Sequence, residues 1–517
     1  MPAQRPNLII LVVDCLRSDR LFGPDRTCRT PHIDRLVQRG ASFPSVFVEN
    51  SMTAPSFASL FTGRYAANHG VKGMIGVRLV DGAATLAEIF AANGYHTYAE
   101  VTGPLTPLLG LCRGFTHYGF RSQRESFFTA WGRDLLTKLR SGWFKPPFLL
   151  VVHFWELHVP RQVVPAFDHP SFGATPYDRS LSGLDSFIGE ILAAAGPRTA
   201  IILTGDHGEC LGERPAEGTL LPYFLRKLGL AERDGSEDVS IEAVTDLMAT
   251  SSDLHRFAEE LSASAGNDGG SLGPAKRTLM MLGLLRVGLA RYRIQLKKGL
   301  TSSFLSGLRD KVNDLALFFA VARGKTEKAQ VALVRSSLNE HKYQHGYHIY
   351  EYLQKVPLVL VGDGLFPLGK RVDTEVRHID FVPTLIEAFG LETTASGFDG
   401  ASFHGSIASA GGPDRPVYLE ARGGAQVERI FLIRGVRRNG LKLAYAPYEV
   451  RAPVELYDLS RDPLEQNNLA PEQPDLVEEL RSEAEALSQG FGVCADNLLS
   501  AADNLEMARK LKDLGYL

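Results

Sequence analysis

The sequence lacks the features that mark several large classes of protein. Its five cysteines are scattered and form no Cys-x-x-Cys pair, so neither a disulfide framework nor a structural zinc site is predicted. It contains no apolar run long enough to predict a membrane-spanning helix. A net charge of −3 over 517 residues argues against bulk binding of nucleic acid.

The N-terminus also lacks a recognisable secretion signal. The first apolar run, residues 7–13, is too short to span a membrane. It ends at Asp14 without a small-residue cleavage site. We therefore expect a cytoplasmic protein, and an export route of another kind is the alternative.

Three apolar runs predict buried strands of a parallel sheet, because they are continuous and rich in β-branched residues. The runs span residues 7–13, 148–155 and 198–205. Ionisable residues follow each run, namely Asp14, then His158, then Asp206 with His207. Since α/β sheets bind ligands at the carboxyl ends of their strands, these residues are candidates for one site.

Each of these candidates also has a structural interpretation. Asp14 could cap the next turn, and His158 could be a buried histidine with satisfied hydrogen bonds. Adjacent residues such as Asp206 and His207 are common by chance. As an oxygen and a nitrogen ligand at one strand end, however, this pair suits a divalent cation.

Residues 50–64 predict a loop that leads into a short helix. Pro55 suits a first helical turn and Gly63 a helix end. Thr53 falls just before the helix, where free N–H groups and the helix dipole favour an anion. Its hydroxyl is either an N-cap or a nucleophile, and this stretch alone favours the cap.

Together with residues 30–43 and 65–71, this stretch resembles the sulfatase family of the alkaline phosphatase superfamily. That family opens its active site with Cys-x-Pro-Ser-Arg and continues into Leu-Thr-Gly-Arg. Here Thr53 replaces the cysteine that becomes formylglycine, Phe57 replaces the supporting arginine, and Arg64 ends the second part. The sequence is therefore more similar to the branch with an unmodified threonine nucleophile, such as lipoteichoic acid synthases, and we expect no formylglycine.

The resemblance also implies a metal centre. Residues 206–209 match the family's Asp-His-Gly-Glu motif, and Asp14 matches its first metal-binding aspartate. The implied ligands of one divalent ion (Mn, Mg, Ca or Zn) are Asp14, Thr53, Asp206 and His207. The second aspartate of the family's frequent Asp-Asp pair is replaced by Cys15.

The resemblance assigns further residues to catalysis and substrate binding. His158 matches a histidine that contacts the anionic group of the substrate in the family. His345 stands where the family has a lysine that binds this group or assists the leaving group. The implied catalytic residues are Thr53, His158 and His345, and the implied substrate contacts are His158, His345 and Arg64.

The implied fold is an alkaline-phosphatase-like α/β domain with a mixed, mostly parallel sheet flanked by helices. Residues 1–214 and 341–415 form this catalytic domain in the prediction. Residues 215–340 read as a mainly helical insertion, and residues 416–517 as a C-terminal subdomain with a small antiparallel sheet and a terminal helix.

One part of the predicted insertion has an unusual charge pattern. Residues 270–308 contain no Asp or Glu, and their basic residues are interleaved with apolar ones. The 270–309 segment either contacts an anionic membrane surface or belongs to a helical lid over the site, which is the interpretation we favour.

The sequence thus predicts a sulfatase-family, metal-dependent hydrolase or transferase that acts on an anionic ester through a threonine nucleophile. A phosphoester fits Thr53 better than a sulfate ester does. Two alternatives are a sulfuric ester hydrolase and a catalytically inactive, sulfatase-like binding protein. The second alternative is motivated by Cys15 and Phe57, which replace two functional residues of the family.

Overall fold

The structure is a computed structural model. It describes residues 5–74, 77–123, 125–213, 215–216, 218–227, 345–409, 415–422 and 432–489, with Leu499, Asp503, Glu506 and Met507. Most of the predicted insertion, including the basic 270–309 segment, lies outside the described residues. Its helical character and its contact with a membrane or with the site therefore stay predictions.

The described part of residues 5–377 is built around a large mixed sheet. Its strands are β1 (Asn7–Val13), β2 (Ala41–Phe47), β3 (His96–Val101), β4 (His117–Phe120), β5 (Phe148–Phe154), β6 (Thr199–Gly205), β7 (Lys355–Val361), β8 (Lys370–Arg371) and β9 (Val376–Arg377). They follow the order β4-β3-β5-β1-β6-β7-β2-β8, with β9 also paired to β2. Among these described strands, only β7 runs antiparallel to its neighbours, β6 and β2.

Helices connect and cover the strands. They are α1 (Asp19–Phe22), α2 (Pro31–Arg39), α3 (Thr53–Thr62), α4 (Ala66–His69), α5 (Leu86–Ala92), α6 (Ala130–Arg140), α7 (Pro176–Ala194), α8 (Leu220–Lys227), α9 (Glu351–Gln354), α10 (Phe381–Phe389), α11 (His404–Ser409) and α12 (Pro474–Gln489). Short 3-10 turns lie at Pro107–Leu109, Pro165–Phe167, Pro170–Phe172 and His378–Asp380. None of the described helices is long and apolar enough to cross a bilayer.

Strand β1 shows why the apolar runs form the centre of the sheet. Leu8, Ile10 and Val12 pack into the hydrophobic core on one face, and the residues between them pack into the core on the other face. Residues 8–13 are fully buried. A strand covered on both faces requires a continuous apolar sequence, so the predicted parallel strand is confirmed.

A second sheet follows the large one in sequence. The strands β10 (Val417–Ala421), β11 (Ile433–Arg438), β12 (Leu441–Tyr445) and β13 (Glu455–Asp458) pair antiparallel in this order. Their apolar side chains pack with α12 around Leu480 and Ala484. The predicted fold class, a mixed and mostly parallel sheet with a small antiparallel sheet, is confirmed, whereas the predicted domain boundaries stay predictions.

Buried ions connect the small sheet to the segment that precedes β7. The Lys442 ammonium on β12 lies 2.6 Å from Glu465 Oε1 and 3.6 Å from Glu351 Oε1. The carboxylate of Glu465 also accepts a 2.7 Å hydrogen bond from the Glu351 N–H at the start of α9. Lys442 and Glu465 are each 1% exposed, so these charges depend on one another rather than on water.

We predict that replacing this lysine destabilises the fold far more than removing a surface cation. Lys442→Met leaves the buried Glu465 carboxylate without its cation, although Glu351 keeps Arg437 at 3.2 Å, and should lower the free energy of unfolding by about 3–5 kcal/mol. The matched control is Arg39→Ala, because Arg39 pairs with Asp363 at a surface where both side chains are over 60% exposed. The control should cost less than about 1 kcal/mol. Urea unfolding measures the stability of both variants, and an equal loss of unfolding free energy in the two would contradict the prediction.

Candidate active site

Two neighbouring strands, β1 and β6, deliver the three candidate metal ligands to one place. In the order β5-β1-β6 the strands are parallel, so their carboxyl ends share an edge of the sheet. Asp14 directly follows β1, and Asp206 and His207 directly follow β6. Each of these three residues is fully buried and offers a ligand atom, and the three atoms lie within 4.8 Å of one another.

Helix α3 brings Thr53 to the same place. The Thr53 hydroxyl lies 3.2 Å from Asp14 Oδ2 and 3.3 Å from His207 Nε2. Met52 is the N-cap residue and makes no side-chain capping bond, so α3 begins at Thr53 itself. The hydroxyl therefore faces the ligand cluster, and the N-cap interpretation of Thr53 is wrong.

The predicted end of α3 agrees with the structure, whereas the helix begins at Thr53 and not after it. Gly63 follows the helix in the left-handed conformation, with φ of 64°. All ten residues of α3 are buried. Because the helix is packed on every side, the position of Thr53 is set by the core rather than by a surface loop.

The tautomer of His207 orients its second nitrogen toward the cluster. Nδ1 of His207 lies 2.8 Å from the Gly208 carbonyl oxygen, which only accepts, so Nδ1 carries the proton. The lone pair of Nε2 is then directed at the region between two oxygens. Thr53 Oγ lies 3.3 Å from Nε2, and Asp206 Oδ2 lies 3.4 Å from it. Burial, together with the nearby charge of His345, lowers the pKa of His207 to about 3.

The two carboxylates repel each other in this buried place. Burial and the charge of Asp14 raise the pKa of Asp206 well above its ordinary value. Burial also opposes ionisation of Asp14, yet the hydrogen bond with His153 and the proximity of the His207 and His158 rings hold its pKa below the ordinary range. Within the described residues, Asp206 Oδ2 accepts no hydrogen bond.

These features fit a divalent cation. Lone pairs from Asp206 Oδ2, His207 Nε2 and the Asp14 carboxylate converge, and a positive charge would relieve the repulsion between the two acids. Oxygen and imidazole ligands are those that Mn²⁺, Zn²⁺ and related ions accept in proteins.

His345 pairs with an acid that the sequence pattern left without a role. Its Nδ1 lies 3.4 Å from Glu209 Oε2, and its ring lies 4.4 Å from that of His207 and 5.1 Å from that of His158. Burial disfavours the imidazolium, but the Glu209 charge outweighs it and raises the pKa of His345. The structure thus brings His345 to the site beside Glu209, whose charge favours the protonated ring.

His158 reaches the site from the loop after β5. Its ring stacks on Trp155 with centroids 4.0 Å apart, and its Nδ1 lies 2.6 Å from the Val159 carbonyl oxygen. Burial lowers the pKa of His158 to about 4. His158 is therefore a neutral ring, whereas His345 favours the charged form.

Two residues depart from the sequence prediction. His153, interpreted as a core residue, is indeed buried in β5, but its Nε2 also lies 3.2 Å from Asp14 Oδ2. Arg64 follows Gly63 at the opposite end of α3 from Thr53, and its guanidinium donates to the Ser396 carbonyl oxygen at 2.6 Å. The structure does not bring Arg64 to the site, because the rest of the ten-residue helix and Gly63 separate it from Thr53.

Two family models match the chain. The mixed sheet and the ligand cluster at the ends of its strands define an alkaline-phosphatase-like α/β architecture. The model of the family Sulfatase matches residues 6–255, and that of the N-sulphoglucosamine sulphohydrolase C-terminal region matches residues 339–490. Over these two ranges the chain is similar to the sulfatase family.

Named relatives agree with this family at low identity. Arylsulfatase G of Mus musculus is 25% identical over 43% of this chain and 55% of its own length. Arylsulfatase A of Bos taurus is 27% identical over 49% of this chain and 63% of its own length. The chain thus spans between half and two thirds of the length of these two relatives.

Solved structures share the fold over nearly the whole chain. Ps i-CgsB in complex with k-i-k-neocarrahexaose has a TM-score of 0.57 and 17% identity, with 99% of this chain and 100% of that chain covered. The phosphonate monoester hydrolase of Agrobacterium radiobacter has a TM-score of 0.56 and 16% identity, with coverage of 96% and 99%. At these identities the likeness concerns the fold.

We predict that Gly208 is required to hold the strand end that carries His207. A Cβ atom at this position would lie 2.0 Å from the Tyr352 carbonyl oxygen, which belongs to the backbone and cannot rotate away. Gly208→Ala should therefore lower the free energy of unfolding by about 1–3 kcal/mol. The control is Gly405→Ala in α11, where nothing lies within 4 Å of the added atom. Chemical denaturation measures the free energy of unfolding of both variants. An unchanged value in Gly208→Ala would contradict the close approach to the Tyr352 carbonyl oxygen.

Proposed function

We propose that this protein is a metal-dependent hydrolase or transferase of anionic esters that uses Thr53 as its nucleophile and prefers phosphoesters to sulfate esters. The observation that carries the proposal is the Thr53 hydroxyl, placed 3.2 Å from Asp14 Oδ2 and 3.3 Å from His207 Nε2. Thr53 is 2% exposed and caps no helix, so its hydroxyl has no competing structural task. A hydroxyl held among metal-ligating groups is suited to nucleophilic attack.

One divalent cation would be held by Asp14, Asp206, His207 and Thr53. Such an ion lowers the pKa of a hydroxyl that contacts it and neutralises charge on a transferring group. The choice among Mn²⁺, Mg²⁺, Ca²⁺ and Zn²⁺ depends on ligand softness and geometry.

The chain's own residues then account for the transfer. Thr53 Oγ attacks the phosphorus, and the Oγ–P bond forms as the bond to the leaving ester oxygen breaks. The hydroxyl proton passes to a base, and the leaving oxygen takes up a proton. Water or an alcohol attacks the threonyl ester, releases the anion and restores the hydroxyl.

His158 and His345 would contact the oxygens of the transferring group. Their rings lie 5.1 Å apart, and His345 is also next to His207, so the two histidines border the place where Thr53 reacts. The contact with Glu209 favours the charged form of His345, which suits it to bind an anion or to protonate the leaving group.

Phosphoesters are preferred because position 53 is a threonine, which cannot become formylglycine. Phe57, at the position of the family's supporting arginine, is fully buried with its ring 4.8 Å from that of His153. Phe57 therefore supplies no positive charge to the site. The phosphonate monoester hydrolase with the same fold supports phosphorus chemistry on this architecture.

Sulfate ester hydrolysis is the second candidate. The names of the two arylsulfatase relatives favour it. Turnover of matched aryl phosphate monoesters, phosphodiesters and sulfate esters by metal-stripped protein with Mn²⁺, Mg²⁺, Ca²⁺ or Zn²⁺ added back separates the candidates. Sulfate turnover alone would overturn the phosphoester preference, and absence of both turnover and bound metal would favour the inactive binding protein.

We predict that Thr53→Ala reduces kcat by roughly 10⁴-fold or more, because the variant lacks the attacking oxygen. The matched control is Thr62→Ala on the same helix. Thr62 is also fully buried, but its hydroxyl donates to the Ala58 carbonyl oxygen at 2.6 Å. Rate measurements should find the control close to wild type. Full activity in Thr53→Ala would show that another group attacks.

We also predict that His345→Gln lowers kcat by about 10²–10⁴-fold, because the variant loses a positive charge and a proton donor. The control is His169→Gln, since the exposed His169 ring contacts Ser171 outside the site. Steady-state kinetics on the best substrate measures both variants. A His345→Gln enzyme with wild-type kcat and KM would exclude this histidine from the reaction.

A further inference from the structure

Arg161 is a cation beside the candidate active site that the proposed reaction does not use. It lies three residues after His158, in the loop that follows β5. Within the described part of the chain, its buried Nε–H meets no hydrogen-bond acceptor, and no carboxylate forms an ion pair with it. We propose that Arg161 binds a second anionic group of the substrate, carried by the alcohol portion of the ester. This inference rests on the ester transfer proposed at Thr53.

The Tyr177 ring places the guanidinium close to the end of β1. Cζ of Arg161 lies 5.6 Å from the centroid of the Tyr177 ring. The Tyr177 hydroxyl donates to the Cys15 carbonyl oxygen at 2.6 Å, and Cys15 directly follows Asp14. A guanidinium over an aromatic ring is attracted by the ring and keeps its N–H groups available. The charge is therefore held one aromatic side chain away from the segment that carries Asp14.

Helix α7 also holds the loop that carries Arg161. The Ser180 hydroxyl on this helix lies 2.9 Å from the Glu156 carbonyl oxygen and 3.0 Å from the Gln162 carbonyl oxygen. The Gln162 N–H donates to the Glu156 carbonyl oxygen at 3.1 Å. The Gln162 side-chain amide donates to the Gln123 carbonyl oxygen at 3.0 Å. The backbone on both sides of Arg161 is thus ordered before an anion binds, which lowers the entropy cost of binding.

The charge of Arg161 reaches the Glu209–His345 pair but is not neutralised by it. Burial raises the pKa of Glu209, whereas His345 and then Arg161 are among the groups that lower it, to about 2. Both oxygens of Glu209 already have other partners. Oε1 accepts from the Cys210 N–H at 2.9 Å, and Oε2 lies 3.4 Å from His345 Nδ1. Arg161 therefore borders the site without a carboxylate of its own.

A neighbouring arginine shows the contrast with a structural cation. Arg17 also contacts Tyr177, because its backbone N–H donates to the Tyr177 hydroxyl at 3.1 Å. Its guanidinium lies 2.8 Å from the Asp19 carboxylate and 2.6 Å from the Glu213 carboxylate. The positive charge of Arg17 is thus satisfied within the protein. The charge of Arg161 is available to an anion from outside.

The position of Arg161 selects the part of the substrate that it would contact. The transferring group must reach Thr53, and Thr53, His158 and His345 are only 2%, 7% and 9% exposed. Arg161 is half-buried, so it lies nearer to solvent than these residues. The part of an ester that extends from a buried reaction centre toward solvent is its alcohol portion. A carboxylate, sulfate or phosphate on that portion would accept two N–H bonds from the guanidinium.

Probes that differ in one charge test the proposal. They are 4-(carboxymethyl)phenyl phosphate, its sulfomethyl analogue and its uncharged amide, assayed with the full-length, metal-loaded protein. We expect a higher kcat/KM for the two anionic probes than for the amide. Arg161→Gln should lower this preference by roughly 10–100-fold, chiefly through KM, because the charged hydrogen bonds act equally on the bound substrate and the transition state. Added salt should weaken the preference of the wild type.

Two further variants separate the charge of Arg161 from its packing. Arg161→Lys keeps a point charge without the fork of N–H groups and should retain part of the preference. Arg161→Glu should reverse it, so that the amide becomes the better substrate. A structural arginine would instead give the same loss on all three probes in every variant. That result, or a wild type that does not distinguish the anionic probes from the amide, would overturn the proposal.

The matched control is Arg29→Gln. Arg29 also lies over an aromatic ring, with its Cζ 6.0 Å from the centroid of the Phe172 ring, and it is exposed. This variant should keep the wild-type preference for the anionic probes. An equal loss of preference in Arg29→Gln and Arg161→Gln would reflect the net charge of the surface and would overturn the assignment to Arg161.

The same probes distinguish this inference from the proposed function. The corresponding aryl sulfates form a parallel series, so the preference is measurable whichever ester is turned over. Sulfate turnover alone, with a preference that depends on Arg161, would refute the phosphoester preference and retain the anion site. Phosphate turnover that depends on Thr53 but shows no preference among the probes would refute the anion site and retain the nucleophile. If neither ester turns over, calorimetric titration with the carboxymethyl probe and the amide measures the preference as a ratio of Kd values.

Discussion

The repulsion between two buried carboxylates is the constraint on which the rest of the site depends. Asp14 and Asp206 end adjacent parallel strands, so the topology of the sheet itself forces them together. The fold offers partial compensation through His153 and the Cys15 N–H. The remaining cost makes the site a receptor for positive charge before any substrate arrives.

The centre of the large sheet could be predicted from the sequence, because buried parallel strands require continuous apolar runs. The runs that became β1, β5 and β6 needed no tertiary information to be recognised. The position of β7, which lies antiparallel between β6 and β2, could not be predicted from apolar runs. Strand order depends on which surfaces pack together, and the residue pattern of a single strand does not contain that information.

The candidate site was predictable where a residue directly follows a strand, as Asp14 and Asp206 do. The site was less predictable where a side chain lies in the apolar core and also contacts one of the metal-ligand candidates. His153 sits in an apolar strand and resembles a core residue, yet it touches Asp14. The position of Thr53 just before a predicted helix suggested a cap, and only its contacts with Asp14 and His207 show that the hydroxyl faces the ligands.

Helix α3 is enclosed along its whole length, and this has a consequence for how the protein can change. Thr53 is therefore held in place by the core, and substitutions along residues 53–62 would disturb the packing of the core. His158 and His345, in contrast, reach the ligand cluster from segments outside regular helices and strands. Substitutions near these two histidines can reshape the border of the cluster without repacking the enclosed helix.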